Sequence, residues 1–309
     1  MKRLPITPLA LCVVAVLLST CSSDSGFGRE SRIRPQEAPK DTTFDVFVVN
    51  SDLAIGTNFL VLAVRGSDGS FRGSKESTAT IEARRHGQRE EAPHVNGAAF
   101  TADAPFIETS QEGRGVYGTR VTFPVPGTWD LLVRFTNPEP GGLPVQPVPT
   151  VAVVAEKSQA PSRGEPAPRS HTKTLASEGG DFTRVTSDFE PDPDLYAHSL
   201  DEVIGSGVPV VVMFATPLRC RSAVCGPALE QLKKAKVLDP GAYYIHVDVY
   251  EKPRDPSDET YVQAVHDWRL PTEPMTFVVT PKGYVYDRFE GPFLPSQLLR
   301  SLEEARAAE

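Results

Sequence analysis

Two cysteines, Cys220 and Cys225, stand in the stretch ATPLRCRSAVCGPALEQL, residues 215–232. Thiols at this spacing support three chemistries: a disulfide that opens and closes by exchange, a fixed bridge, or half of a soft-metal site. The thiolate is the working form in the first and third, and a helix N-terminus favours it. The residues that follow, PALEQLKKAK, have helical spacing, with Leu229 and Leu232 on one face and lysines toward the C-terminal end. Two residues five apart inside a regular helix have Cα atoms roughly 8–9 Å apart, from about 1.5 Å of rise per residue. A disulfide tolerates up to about 7 Å. Either Cys220 lies in the loop before the helix, or no bridge forms.

The elements around this pair follow from the pattern of apolar residues. VPVVVMFA, 208–215, is a continuous apolar run, as in a strand buried on both faces. DEVIGSG before it reads as a short helix ending at Gly205 and Gly207. AYYIHVDVY reads as a second buried strand, and SDETYVQAVHDW as a helix with Ser257 at its N-cap. MTFVVTPKGYVYDRFEG gives two strands joined by a Pro-Lys-Gly turn, and PSQLLRSLEEARAA a closing amphipathic helix. This alternation is that of an α/β domain.

The first half has a different period. FDVFVVN, NFLVLAVRG, TATIEAR, VYGTRVTFPV, GTWDLLVRF and PTVAVVAE alternate apolar and polar residues between turn-rich pieces such as GSDGS. Such strands without helical spacing imply an antiparallel β-sandwich over 43–156, with Trp129 in its core. His86 and His94 fall in polar, loop-like sequence without a Met or Cys partner and read as solvated. Residues 157–163 read as a linker, and 164–309 as the α/β domain. A length of 309 residues accommodates two domains, and 39% hydrophobic content supplies cores for both. The 29 prolines favour linkers and short strands over helical bundles. A net charge of −8 with no basic block argues against a nucleic-acid partner.

Residues 1–21 read as an export signal, with Lys2 and Arg3 before the apolar run PLALCVVAVLL. The end of that run, LSTC at 18–21, resembles the lipobox of bacterial lipoproteins, with Thr20 a less usual residue before the cut. The resemblance implies cleavage before Cys21, lipid on Cys21, and residues 22–42 as a tether. It implies anchorage on the outer face of the bacterial cytoplasmic membrane, an oxidising setting in which disulfides persist. Of the four cysteines, Cys12 then leaves with the signal and Cys21 carries lipid, so Cys220 and Cys225 are expected to pair. The strand GTWDLLV is similar to later strands of immunoglobulin-like domains in secreted bacterial proteins.

The second half resembles the thioredoxin fold, in particular membrane-anchored bacterial thioredoxin-like proteins. GEPAPRS at 164–170 is similar to the Gly-x-x-Ala-Pro opening of those families, VVVMFATP to the strand leading to their cysteines, and EPMTFVVTPKGYV, 273–285, to their Pro-Thr-Thr-Phe segment. The resemblance implies that Pro274 is the cis-proline and that Glu273 and Pro274 lie where client backbone binds. A carboxylate at Glu273 would disfavour a neighbouring thiolate. The family's Trp-Cys-x-x-Cys is here Arg219-Cys220, four intervening residues, Cys225. Two alignments fit. One places Cys220 at the nucleophile, with Ser222 capping the helix and Arg219 or Arg221 lowering the thiol pKa. The other matches CGPA to Cys-Gly-Pro-Cys and makes Cys225 the nucleophile.

The function expected is extracytoplasmic thiol–disulfide exchange with protein clients and a redox partner, through Cys220 and Cys225 and without a cofactor or metal. The alternative is a non-catalytic binding or scaffold lipoprotein in which Cys220–Cys225 is structural. Copper delivery of the Sco type would add His246 or His266 to the two thiols, although that family spaces its cysteines one residue closer. Peroxidase chemistry fits less well, because Thr216 and Pro217 do not provide the peroxiredoxin spacing before Cys220.

Overall fold

The computed structural model describes residues 44–87, 99–109, 114–137, 142–220 and 224–308. The expectations for the signal, Cys21, the tether at 22–42, His94, Arg221 and Ser222 fall outside the described residues. Eight strands come first: β1 (Phe44–Val48), β2 (Gly56–Gly66), β3 (Phe71–Arg72), β4 (Thr78–Arg85), β5 (Ala99–Glu108), β6 (Gly115–Phe123), β7 (Gly127–Phe135) and β8 (Val148–Val154). Their antiparallel pairings run β1-β2-β6-β5-β4-β7-β8, with β3 on β2.

Strand β5 changes partner along its length. Ala99 to Pro105 pair with β4, and Phe106 to Glu108 pair with β6. The change falls at Pro105, whose nitrogen has no hydrogen to continue a ladder. On either side of this switch stand β1-β2-β6 and β4-β7-β8. Leu60, Leu62 and Val64 of β2, Tyr117 of β6, Ile81 of β4, and Trp129 and Val133 of β7 share one buried core. The rings of Tyr117 and Phe135 meet across it, 5.1 Å between centroids. Trp129 is a core residue, its Nε1 donating to the Val125 carbonyl.

The second half contributes α1 (Phe182–Val185), α2 (Leu200–Val203), β9 (Val210–Phe214), α3 (Cys225–Leu238), β10 (Tyr243–Val247), α4 (Gln263–Asp267), β11 (Met275–Val279), β12 (Val285–Glu290) and α5 (Pro295–Ala307). Its sheet has the order β10-β9-β11-β12, with β10 parallel to β9 and the other pairs antiparallel. Strand β9 is buried on both faces, which explains its unbroken apolar run. Val211 and Met213 pack with Leu229, Leu232 and Leu302 from α3 and α5. Val210, Val212 and Phe214 pack with Leu200, Val203, Ala264 and Trp268 on the other side. This is the thioredoxin-like order of elements that the sequence resemblance implies. One expectation is corrected: the helix over 257–268 is only α4, and Ser257 caps nothing. Asp255 accepts from the N–H and hydroxyl of Ser257, and Asp258 from the N–H groups of Lys252 and Thr260. Short acidic side chains bonded to nearby backbone favour turns over a helix start.

The two sheets meet on β2 and β12. Odd-numbered Phe59, Val61 and Ala63 of β2 turn away from the first core and join the cluster that holds Phe289, Phe293 and Leu302. The Phe59 and Phe289 rings meet at a tilt of 55°, with centroids 4.8 Å apart. Polar groups seal the contact. Arg288 donates to the Asp52 carboxylate at 2.6 Å and to the Asp52 carbonyl, while Asp52 also accepts from the N–H groups of Gln159 and Ala160. Glu290 accepts from the N–H and hydroxyl of Ser51 and the N–H of Asp52. Arg120 of β6 reaches Glu304 at 2.7 Å and also pairs with Asp287. Contacts gather the described residues into one compact unit.

Candidate redox site

The chain leaves β9 at its C-terminal end and turns at Thr216, whose carbonyl accepts from the Arg219 N–H at 3.2 Å. Cys220 therefore lies in the loop, and Cys225 is the first residue of α3. Their Cα atoms are 5.9 Å apart and their sulfurs are bonded. Of the two possibilities left by the spacing, the loop position and the bridge are what the structure has. Cys225 is fully buried, whereas Cys220 is partly exposed. The cap of α3 is Val224, which has no side-chain acceptor. The first amide of the helix turns to sulfur instead, with the Cys225 N–H donating to Cys220 Sγ at 3.3 Å.

Beside this loop runs the start of β11. Met275 is in register with Phe214, so Glu273 and Pro274 lie along Ala215 and Thr216, and the Glu273–Pro274 peptide is cis. Burial lifts the Glu273 carboxyl to about 7, helped by the nearby Asp248 charge and opposed by a hydrogen bond with Thr216. Its Oε2 is buried without a partner. A carboxyl raised this far keeps its proton closer to neutral pH than an ordinary one, so it is a weaker deterrent to a thiolate than the ionised carboxylate expected from sequence.

Arg219, expected to assist the thiol, is committed elsewhere. Its guanidinium lies 3.8 Å from the Tyr250 ring and donates to the carbonyls of Asp255 and Asp258. Tyr250 in turn stacks on Tyr261. The turn before Cys220 is thus clamped to the loop 250–261. Thr216 and Asp248 complete a buried polar layer: Asp248 accepts from the Thr216 hydroxyl and from the N–H and hydroxyl of Ser187.

His246 is a packed residue. Its Nε2 bonds the Ala215 carbonyl at 2.9 Å and its Nδ1 bonds the Tyr196 hydroxyl at 2.8 Å, so both ring nitrogens are occupied. Burial holds its pKa below the usual value. It offers no free lone pair to a metal, and the exposed His266 stands on α4. Among the described residues no group of three or more His, Cys, Asp or Glu is placed to hold a metal ion. His86 is exposed as expected and pairs with Asp130 at 2.8 Å. A cleft of about 270 Å³ opens over His246 and Asp248, with the Lys173–Glu251 ion pair in its lining.

Cys220, Cys225, Glu273 and Pro274, singled out from sequence, all lie where β9 ends and β11 begins. Asp248, the bond from the Thr216 hydroxyl to it and the Tyr250–Tyr261 clamp were not singled out, since nothing local marks residues that meet through the fold.

No protein-family model matches the chain, and no curated protein matches it. Solved structures similar to part of the chain include the following two. MTB dsbF, in its mixed oxidised and reduced forms, has 16% identity and a TM-score of 0.30, over 45% of this chain and 98% of its own. A thiol:disulfide interchange protein of the thioredoxin family from Chlorobium tepidum TLS has 17% identity and a TM-score of 0.31, over 47% of this chain and 99% of its own.

Proposed function

We propose that this chain performs thiol–disulfide exchange on protein clients outside the cytoplasm, with Cys220 as the sulfur that clients meet. The observation that carries the reading is the placement of the pair. Cys220 is partly exposed and its Sγ receives the Cys225 N–H at the start of α3, while Cys225 is fully buried. A sulfur there is the better place for negative charge when the bond opens.

With the pair as oxidant, a client thiolate attacks Cys220 Sγ, the Cys220–Cys225 bond breaks, and Cys225 leaves and takes a proton. A second client thiolate then attacks the client sulfur of the mixed disulfide and releases Cys220. Two electrons pass from client to protein, and the reverse sequence makes the protein a reductant. Glu273 and Pro274 lie alongside as the backbone that the client segment meets. We further propose that Cys21 carries lipid and anchors the chain to the outer face of the membrane. The first half is proposed to be an immunoglobulin-like sandwich, supported by β1-β2-β6-β5 on one side and β4-β7-β8 on the other.

A second reading is a binding or scaffold protein with a fixed bridge, favoured by the complete burial of Cys225. Equilibration of the full chain with glutathione buffers, read by alkylation at Cys220 and Cys225, separates the two. A midpoint at or above about −230 mV supports exchange, and one below about −300 mV supports the fixed bridge.

A further inference from the structure

We infer that Arg219 is a positioning residue that couples the Cys220–Cys225 bond to the loop 250–261 and favours its closed state. The inference rests on the exchange reading above and names what regulates its cysteine pair.

The loop is a closed frame. An antiparallel bridge joins Tyr250 to Tyr261 at its base, and the Glu251 N–H donates to the Thr260 carbonyl at 2.8 Å. Inside the frame, the Asp255 N–H donates to the Lys252 carbonyl and the Asp258 N–H to the Asp255 carbonyl. These turns leave three carbonyls converging on one guanidinium. Arg219 Nη1 donates to Asp255 at 3.1 Å and to Asp258, and Nη2 reaches Pro256 at 3.5 Å. The plane of the group lies over the Tyr250 ring. A rigid planar fork serves several acceptors and a ring at once, which the point charge of a lysine does not.

Arg219 is the residue before Cys220, so the clamp and the disulfide restrict the same short piece of chain. Each removes freedom that the other would otherwise have to remove. With the bond open, the clamp keeps Cys220 near the start of α3, and a thiol held close re-forms its bond more readily. By reciprocity, opening the bond loosens the loop by the same factor.

This role and the thiol-assisting role expected from sequence have opposite signs. A charge that stabilises a thiolate favours the reduced pair, so its loss makes the pair harder to reduce. A clamp that confines Cys220 favours the bridge, so its loss makes the pair easier to reduce.

The test equilibrates the full chain, Arg219→Gln and Arg219→Lys with glutathione buffers. Both variants are expected to be reduced about tenfold more readily, a midpoint about 30 mV higher. Amide exchange over the loop should quicken about tenfold when the wild type is reduced, and should already be quick in both oxidised variants. The wild-type comparison needs no substitution, so it decides the matter even if a variant misfolds. A midpoint that falls in Arg219→Gln and stays in Arg219→Lys would return Arg219 to its charge and overturn the inference. Unmoved midpoints, or loop exchange that ignores the state of the bridge, would overturn it too. A wild-type midpoint below about −300 mV would instead remove the exchange reading, with the shift between variants still deciding the role of Arg219.

Discussion

The backbone N–H of Cys225 is directed at the sulfur of Cys220, 3.3 Å away, so the first donor of α3 serves the partner cysteine. The two sulfurs therefore differ in access and in electrostatics. In the reduced chain, Cys220 should take up iodoacetamide first. Cys225→Ser should accumulate a mixed disulfide with client or glutathione, and Cys220→Ser should not. Mass spectrometry of trapped species checks this, and the reverse pattern would make Cys225 the nucleophile.

Arg288 and Asp52 form a buried pair, 9% and 6% exposed in their side chains, that joins the two sheets. Removing one partner leaves an uncompensated charge. Asp52→Ala should cost about 3–5 kcal/mol, whereas an apolar replacement of both residues should recover most of it. Urea unfolding provides the comparison, and the transition should stay single because the sheets share a core.

Glu273 should make stability fall as pH rises. Its folded value of about 7 lies above the ordinary 4.5, so its contribution is complete below 4.5 and is lost as pH climbs through 7. Glu273→Gln removes that loss, so the variant should gain on wild type between pH 4 and pH 8. Thermal midpoints at the two pH values test the sign, and parallel curves would refute it.

His246 works in the opposite direction. Burial lowers its folded pKa below 6.5, so its contribution is present above that value and is lost as pH falls. His246→Gln, which keeps a donor and an acceptor, should flatten the acid side of the stability profile. Because His246 and Glu273 oppose each other between pH 4.5 and 6.5, only the single variants, measured by urea midpoint, reveal either slope.

What the sequence makes legible follows from how local each cause is. Strand β9 and helices α3 and α5 announce themselves because apolar run length and helical spacing act within one element. Distance alone leaves two readings for Cys220, a loop position or no bridge, and the fold decides for the first. Strand β5, AFTADAPFIE, escapes notice because its Asp and Pro break the alternation, and only its two partners reveal it. The start of α4 is misplaced because Asp255 and Asp258 close turns that compete with helix. The Arg288–Asp52 pair joins residues 236 positions apart, and no local pattern contains such a partnership. Arg219 is similar: its charge looks available beside Cys220 until the loop 250–261 folds over it.

From Phe59 to Val64, strand β2 has no side left for water: Leu60, Leu62 and Val64 fill one core, and Phe59, Val61 and Ala63 fill the other. Neither half of the chain is therefore a finished object. Cut between them, the first half would carry a bare oily flank and the second would lose the lid over Phe289. Expressed apart, both pieces should clump, and mixed together during refolding they should rescue each other. The cysteine-bearing loop and the strands before it are to be treated as one particle, in which a lesion in β2 weakens a disulfide-bearing body that it never touches through the chain.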